Sequence, residues 1–256
     1  MNPWIQRSLE IAQRQDYLDQ LSEIYAIPHE LRRPIDSQNR REIEKLFHSR
    51  DWAGLIRLLL RLQKFPYQEP FLGCLRADQT AIERNPRTVQ RVSRILLTMG
   101  TEGIIEGVEE PPQANRQLGS LFKRWLRTLP YPHLTESDFG RSPEVAILSG
   151  SNGKLMKFAN TELGCALGKR PDLVAKTPGG YVVAEAKFIT TPGGNQDKSF
   201  REVIQFIRTN RGNAIRIGVL DGVVWLERGG LYGTIRETEE NALSALLLRR
   251  FLESLR

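Results

Sequence analysis

The sequence has little cysteine and no long apolar run, and both absences narrow the class of protein. Its 256 residues include two cysteines, Cys74 and Cys165, which lie far apart and outside any C-x-x-C pattern. A disulfide framework and a cysteine-ligated zinc site are therefore excluded. No stretch approaches the ~18 consecutive apolar residues that a membrane helix needs, and residues 1–15 lack the apolar core of a signal peptide. We therefore expect a soluble, cytoplasmic protein with no membrane partner.

Several motifs of other enzyme classes are also missing. The three histidines are scattered and form no zinc-binding pattern. No G-x-S-x-G is present for a serine hydrolase, and no G-x-G-x-x-G follows a predicted strand. The stretch from Ser149 to Lys154 resembles a phosphate loop, but only two residues separate its glycines and Leu155 replaces the required serine or threonine. We therefore expect no nucleotide cofactor and interpret this stretch as the start of a helix.

Positive charge exceeds negative charge, and part of the excess is concentrated in two stretches. Lysine and arginine number 37 against 30 aspartate and glutamate residues, a net charge of +7, which favours a polyanionic partner such as DNA. Residues 84–100 and 114–127 each contain four basic residues and no acid. The candidate phosphate contacts in these stretches are Arg87, Arg91, Arg94, Lys123 and Arg127. Their three- and four-residue spacing puts them on shared helix faces, for which a merely solubilising role is the alternative.

The pattern of apolar residues changes near residue 140. Before it, three- and four-residue spacing predicts helices, among them 37–62, 86–100 and 115–129. After it, helices are predicted at 152–167, 197–209 and 239–255, and strands at 144–148, 172–176, 181–189, 214–220 and 223–226. This order predicts an α/β (α+β) fold, in which a helical region (1–140) precedes a mixed α/β core (141–256). The core is expected to be a central mixed sheet flanked by helices.

The residues with the clearest chemistry lie on a predicted hairpin around the turn at 177–180. Glu185 and Lys187 are two apart in one strand and therefore share a face, and the hairpin brings Asp172 beside them. Two carboxylates can hold Mg²⁺ through oxygen ligands, and a lysine can orient water or stabilise phosphoryl charge. This set is suited to phosphodiester hydrolysis. The alternative is a surface Glu–Lys pair on an edge strand with Asp172 in a turn.

These residues resemble a known nuclease motif. Pro171-Asp172, followed by twelve residues and then Glu185-Ala186-Lys187, resembles the PD-(D/E)XK motif. With residues 158–165, 169–172 and 193–196 included, the chain is similar to bacterial type II restriction endonucleases of that superfamily over roughly residues 145–225. The resemblance implies that residues 141–256 are a restriction-endonuclease-like catalytic core that cleaves double-stranded DNA, and that residues 1–140 serve DNA recognition or dimerisation.

The resemblance also implies a role for each matching residue. Asp172 and Glu185 are metal ligands, the Ala186 carbonyl is a third ligand, and Lys187 positions the attacking water. Glu162, on the preceding helix, supports a second metal or a metal-bound water; a solvated helix residue is the alternative. The expected metal is Mg²⁺, with Mn²⁺ as a substitute, whereas Ca²⁺ is expected to support DNA binding only.

Partners and rival functions follow from the same motif. Its single copy implies a homodimer on a two-fold DNA site, in the cytoplasm of a bacterium or archaeon. The alternatives are a repair or junction-resolving nuclease of the same superfamily and a non-catalytic DNA-binding protein with a nuclease-like domain.

A polar loop after the Glu185 strand is a candidate for reading bases. Asn195 and Gln196 have side chains that can bond adenine in the major groove, and Lys198 can contact guanine or phosphate. Arg201, on the helix that follows, is a phosphate candidate. The alternative is an ordinary solvated loop with Asp197 as the helix N-cap.

Overall fold

A computed structural model of the chain describes residues 1–26, 34–110, 114–209, 211–226 and 230–255. The helices of this part are α1 (Pro3–Ala12), α2 (Tyr17–Ile24), α3 (Ser37–His48), α4 (Trp52–Arg61), α5 (Leu72–Ala77), α6 (Ala81–Arg84), α7 (Pro86–Glu109), α8 (Ala114–Leu126), α9 (Glu136–Phe139), α10 (Asn152–Thr161), α11 (Gly194–Arg208), α12 (Gly230–Arg236) and α13 (Leu248–Ser254). The strands are β1 (His133–Leu134), β2 (Ala146–Leu148), β3 (Leu173–Thr177), β4 (Gly180–Ile189), β5 (Ala214–Gly222) and β6 (Ala242–Leu243). Short 3-10 helices span Val223–Trp225 and Ala245–Leu247.

The six strands form one mixed sheet, which confirms the predicted fold class. Its order is β1-β2-β3-β4-β5-β6, so neighbours in sequence are neighbours in space. The β2–β3 and β3–β4 pairs are antiparallel, and the other pairs are parallel. Of the β4 side chains, Val182 and Ala184 belong to one buried apolar cluster and Val183 to another. The sheet therefore has an apolar core on each face, as expected when helices cover both sides.

Two compact units divide the chain at places other than residue 140. The sheet unit contains the described residues of 1–27 and 113–256, and the helical unit contains those of 28–112. Helices α1, α2 and α8 belong to the sheet unit because their apolar residues, such as Ile5, Leu21 and Phe122, enter the same core as the sheet. An amphipathic helix has the same sequence pattern whether it packs on helices or on a sheet, so the pattern could not assign these three.

The helical unit has its own apolar core. Asp36 and Asp51 cap α3 and α4 by accepting bonds from the backbone N–H groups of Asn39 and Gly54. The predicted helix from Pro86 is confirmed at its start, but it continues past Gly100 to Glu109. Gly100 has φ 67°, a conformation that glycine tolerates, and the chain resumes helical geometry after this kink. No helix in the described ranges is long and apolar enough to cross a membrane.

The predicted hairpin is confirmed, whereas two predictions after it are wrong. Val223–Trp225 is a 3-10 helix rather than a strand, because Gly222 turns the chain at φ 88° and the Trp225 indole donates to the Leu220 carbonyl at 2.6 Å. The stretch predicted as one helix over 239–255 begins with β6, which pairs with Gly218 and Val219 of β5. Pairing with a distant strand overrides local helix propensity there.

The helices on either side of the hairpin have different bounds from those predicted. Helix α10 ends at Thr161 because the Asn160 amide bonds both the N–H and the C=O of Leu167, which folds residues 162–167 into a loop. Helix α11 begins at Gly194, so the predicted loop from 195 to 198 is its first turn. Asp197 is not the N-cap; it accepts a bond from the Gly193 N–H at 2.7 Å from inside that turn.

Candidate active site

The β3–β4 hairpin brings Asp172 to the Glu185 strand. The Asp172 N–H donates to the Ala184 carbonyl at 2.9 Å, and Asp172 Oδ2 accepts from the Ala186 N–H at 3.0 Å. The registered pairing of the hairpin ends at Leu173 and Ala184, and Asp172 lies immediately before β3. The main chain therefore fixes the Asp172 carboxylate beside the Glu185-Ala186-Lys187 segment.

Glu185 is buried among ammonium groups. Its side chain is 3% exposed, Lys187 Nζ lies 3.6 Å from Oε1, and Lys169 forms a second ion pair with the same oxygen. Within the described residues, Oε1 accepts no hydrogen bond of ordinary geometry. A buried carboxylate oxygen whose described partners are ammonium groups lies in an environment that favours a cation.

Lys169 is shared by two carboxylates, a role that the sequence analysis did not predict. Besides Glu185, it bonds Glu202 Oε2 on α11 at 2.7 Å. Burial lowers the pKa of Lys169, but the two carboxylates outweigh burial and hold that pKa above its ordinary value. The bond from Lys169 in turn lowers the pKa of Glu202. Lys169 could have been found from the sequence, because it lies only three residues before Asp172. Glu202 could not, because its place in the site depends on how α11 packs on the sheet.

Lys123 lies in the site rather than on a separate phosphate-binding face. Its Nζ is 3.5 Å from Asp172 Oδ1 and donates to Asn152 Oδ1 on α10 at 2.8 Å. The predicted helix over 115–129 is too long, because α8 ends at Leu126 and the exposed Arg127 lies just beyond it. The ionic contact with Asp172 makes Lys123 part of the candidate site.

Glu162 is not grouped with the other acids. It is the exposed C-cap residue of α10, and its carboxylate accepts a bond from Thr161 Oγ1 at 3.1 Å. Across the described part of the chain, no three histidine, cysteine, aspartate or glutamate residues are grouped so that they could hold a metal. The acids beside the Glu185-Ala186-Lys187 segment are thus two, Asp172 and Glu185, and the Ala186 carbonyl follows Glu185 on β4.

The candidate base-reading residues stand at the start of α11. Asn195 and Lys198 are exposed and Gln196 is half-buried, all in the first turns after Gly193 and Gly194, whose φ angles are 101° and 55°. Arg201 is exposed one turn later, beside a cleft of about 630 Å³ that α12 also borders. These side chains therefore stand on a regular helix, not on a flexible loop.

The three candidate arginines of α7 differ in their partners. Arg87 and Arg94 are exposed. Arg91 donates two bonds, at 2.7 and 3.0 Å, to Glu69, whose side chain has no exposed area. Burial raises the pKa of Glu69, but the bonds from Arg91 outweigh it and lower that pKa below its ordinary value. Arg91 is therefore engaged in a structural ion pair.

A buried polar network lies at the end of β5, next to β4. Asp221 pairs in register with Phe188 and has no exposed area. Its carboxylate accepts bonds from Tyr25 Oη at 2.7 Å and from Ser244 Oγ at 2.5 Å. Burial raises the pKa of Asp221 to about 7 despite these bonds. The network joins α2, β5 and the segment after β6.

Comparison with known proteins identifies the family. Searches of curated proteins and of solved structures found no significant match. A family model, the Tsp45I type II restriction enzyme, matches residues 2–255. This match spans both compact units and the whole candidate site. The chain therefore belongs to the Tsp45I type II restriction enzyme family, whose members are site-specific endonucleases of double-stranded DNA.

Proposed function

We propose that this restriction endonuclease is a PD-(D/E)XK enzyme that hydrolyses DNA phosphodiester bonds with Mg²⁺. One observation carries the proposal: Asp172, at the start of the hairpin, accepts from the Ala186 N–H at 3.0 Å, while Lys187 on the same strand lies 3.6 Å from Glu185. The surface-pair alternative requires an exposed glutamate, whereas the Glu185 side chain is 3% exposed. Family membership favours restriction over the repair, junction-resolving and non-catalytic alternatives.

Each residue of the candidate site has a separate role in the proposed reaction. Asp172, Glu185 and the Ala186 carbonyl would hold the metal. When bound, Mg²⁺ supplies charge stabilisation at the phosphoryl oxygens and a lowered pKa of its water. Lys187 donates hydrogen bonds to the attacking water or to the charge that develops on the phosphoryl group. Lys123 holds the Asp172 carboxylate in place from the side of α8. Mn²⁺ substitutes for Mg²⁺, and Ca²⁺ supports DNA binding without cleavage.

DNA contacts are proposed for α11 and the end of α8 in the sheet unit and, separately, for α7 in the helical unit. At the start of α11, Asn195 and Gln196 read bases, and Lys198 and Arg201 bind phosphates. Arg87 and Arg94 of α7 and Arg127 after α8 track the backbone. Residues 1–140, expected to serve DNA recognition or dimerisation, contribute backbone contacts through α7, and the enzyme acts as a homodimer.

Plasmid digestion tests the proposed chemistry. Wild-type protein should give discrete fragments with Mg²⁺ and none without it. Asp172→Asn, Glu185→Gln and Lys187→Ala should each reduce cleavage about 10³-fold, while a gel shift in Ca²⁺ or without metal retains DNA binding. Glu144→Gln, an exposed acid before β2, is the matched control and should cleave normally. Metal-independent fragments, or full activity in any of the three variants, would contradict the assignment concerned.

A further inference from the structure

Lys169 connects the buried Glu185 to a half-exposed acid on α11. Its ammonium group forms ion pairs with Glu185 Oε1 and, at 2.7 Å, with Glu202 Oε2. Glu185 is 3% exposed, whereas Glu202 is 40% exposed and Lys169 is 46% exposed. The lysine therefore sits at the mouth of the site, with one buried and one accessible anion to bind.

The ammonium occupies an oxygen that the proposed metal needs. Three carboxylates (Asp172, Glu185 and Glu202) lie in ionic contact with three lysines (Lys123, Lys169 and Lys187), so these groups are balanced before any cation arrives. A divalent cation at Glu185 would meet the positive charge of Lys169 at contact distance. Either the cation is repelled or Lys169 moves.

The surroundings of Lys169 allow it to move. Its side chain is long and half-exposed, in the loop between α10 and β3, so rotation about side-chain bonds needs no change in the sheet. Glu202 already bonds the same ammonium and can keep it after its contact with Glu185 is lost. Lys187 differs, because it stands on β4 itself and forms its ion pair with Glu185, at 3.6 Å.

We propose that Lys169 is a positioning residue that holds Glu185 in the metal-free enzyme, and that Glu202 retains its ammonium group when a divalent cation takes Glu185. This inference rests on the proposed metal site. Lys169 then competes with the metal, and Glu202 favours the metal by drawing Lys169 away. The affinity for the cation is thus set in part by Lys169 and Glu202, which lie outside the D-E-K set of Asp172, Glu185 and Lys187.

Calorimetric titration of the full chain with Ca²⁺ tests this without cleavage. Lys169→Gln should bind Ca²⁺ about tenfold more tightly, and Glu202→Gln about tenfold more weakly, because Lys169 then stays on Glu185. In the double variant, the effect of Glu202→Gln should shrink to about twofold. Lys169→Arg keeps the cation and should restore wild-type affinity. Arg170→Gln, which removes the same charge one residue away, should change affinity less than about twofold.

Three outcomes would overturn the inference. Unchanged or weaker Ca²⁺ binding by a folded Lys169→Gln variant means that Lys169 does not compete with the metal. If the fold-changes in Ca²⁺ affinity of the two single variants multiply to give that of the double variant, Glu202 does not act through Lys169. If the wild type shows no Ca²⁺ binding that Asp172→Asn abolishes, the proposed metal site itself is wrong, and the inference fails with it. The first two results leave that site intact.

Discussion

Each buried acid near β4 is matched by a specific partner. Glu185 has Lys169 and Lys187, and Asp172 has Lys123 together with the Ala186 N–H. A carboxylate removed from water is costly unless cations or donors replace the lost hydration. The lysines therefore stabilise the site before metal or DNA is bound, and substitution of one leaves a carboxylate without its partner.

Lys123 should affect catalysis rather than only DNA affinity. In Lys123→Gln the contact with Asp172 loses its charge, so we expect cleavage at saturating DNA to fall about tenfold, equivalent to about 1.4 kcal/mol. Single-turnover cleavage measures this step. Lys157→Gln, on the exposed face of α10, is the control and should cleave at the wild-type rate. A Lys123→Gln defect that disappears at high DNA concentration would return Lys123 to the phosphate-binding surface.

Asp221 should make stability depend on pH in an unusual direction for an acid. Its pKa in the folded protein is about 7, against an ordinary value of 3.8, so the folded state binds this proton more tightly than the unfolded chain. Its contribution to the free energy of unfolding therefore falls as the pH rises from about 4 to about 7, by up to ~1.4 kcal/mol per pH unit. Tyr17 and Tyr25 face the carboxylate, and burial raises the pKa of both.

Urea unfolding at pH 5 and pH 7.5 checks this. Asp221→Asn should lose less stability between the two pH values than the wild type, because the amide does not ionise. The exposed Asp19→Asn should follow the wild type. Parallel pH profiles for wild type and Asp221→Asn would show that Asp221 does not titrate in this range.

At the scale of elements, α11 places the proposed base-reading residues on a helix that packs against the hairpin strand β4. It packs on β4 and β5, and its first turn carries Asn195, Gln196 and Lys198. The backbone of a packed helix is already ordered, so binding DNA costs less conformational entropy than ordering a loop would. Neighbouring residues of a helix point about 100° apart around its axis. Asn195 and Gln196 therefore cannot both bond the same base edge.

Gln196→Ala should alter sequence preference at one base pair. Loss of a bidentate contact costs roughly 1–3 kcal/mol of discrimination, so cognate cleavage should fall far more than non-specific binding. Lys198→Ala should instead lower affinity for all sequences. Competition cleavage over every single-base variant of the site separates the two. If Gln196→Ala and Asn195→Ala both keep the wild-type preference at every position, base reading belongs to the helical unit.

Helix α7 carries three arginines that should behave differently. Arg87→Gln with Arg94→Gln should weaken binding to all DNA sequences, and each lost phosphate contact should make the log–log salt slope shallower by ~0.9. Arg91→Gln removes the partner of the buried Glu69 and should lower the urea midpoint instead. Salt-dependent binding and urea unfolding of the same variants distinguish these roles. An unchanged salt slope in the double variant would exclude Arg87 and Arg94 from the DNA surface.

At the scale of the whole molecule, each chain has two compact units and one copy of the D-E-K set. The first and last segments of the sheet unit are in contact, because the Ser244 N–H, after β6, donates to Ser8 Oγ on α1. One site cuts one strand at a time, so a double-strand break at a two-fold sequence calls for two chains.

Mixed dimers test this arrangement. Wild-type and Asp172→Asn chains with different tags should be purified as a mixed dimer and given supercoiled plasmid. We expect nicked circles as the main product, since one strand meets the inactive site, whereas wild-type dimers give linear plasmid. Sedimentation should show twice the mass of the chain. A monomer that linearises plasmid in one binding event would contradict the homodimer.

The sequence by itself determined the hairpin and the face that Glu185 and Lys187 share. Both follow from local rules: a Pro-Gly-Gly turn, and side chains that alternate along a strand whatever surrounds it. A local rule also determined the N-cap of α10 at Ser151, whose Oγ accepts from the Lys154 N–H.

Only the tertiary structure decided which distant residues complete the site. Lys123, Lys169 and Glu202 come from α8, a loop and α11, and their contacts depend on how these segments pack on the sheet. The division of the N-terminal helices between two units and the strand at Ala242 were decided in the same way. Contacts between residues far apart in sequence arise from burial and pairing with a partner surface, and a single chain segment carries no local pattern that specifies that partner.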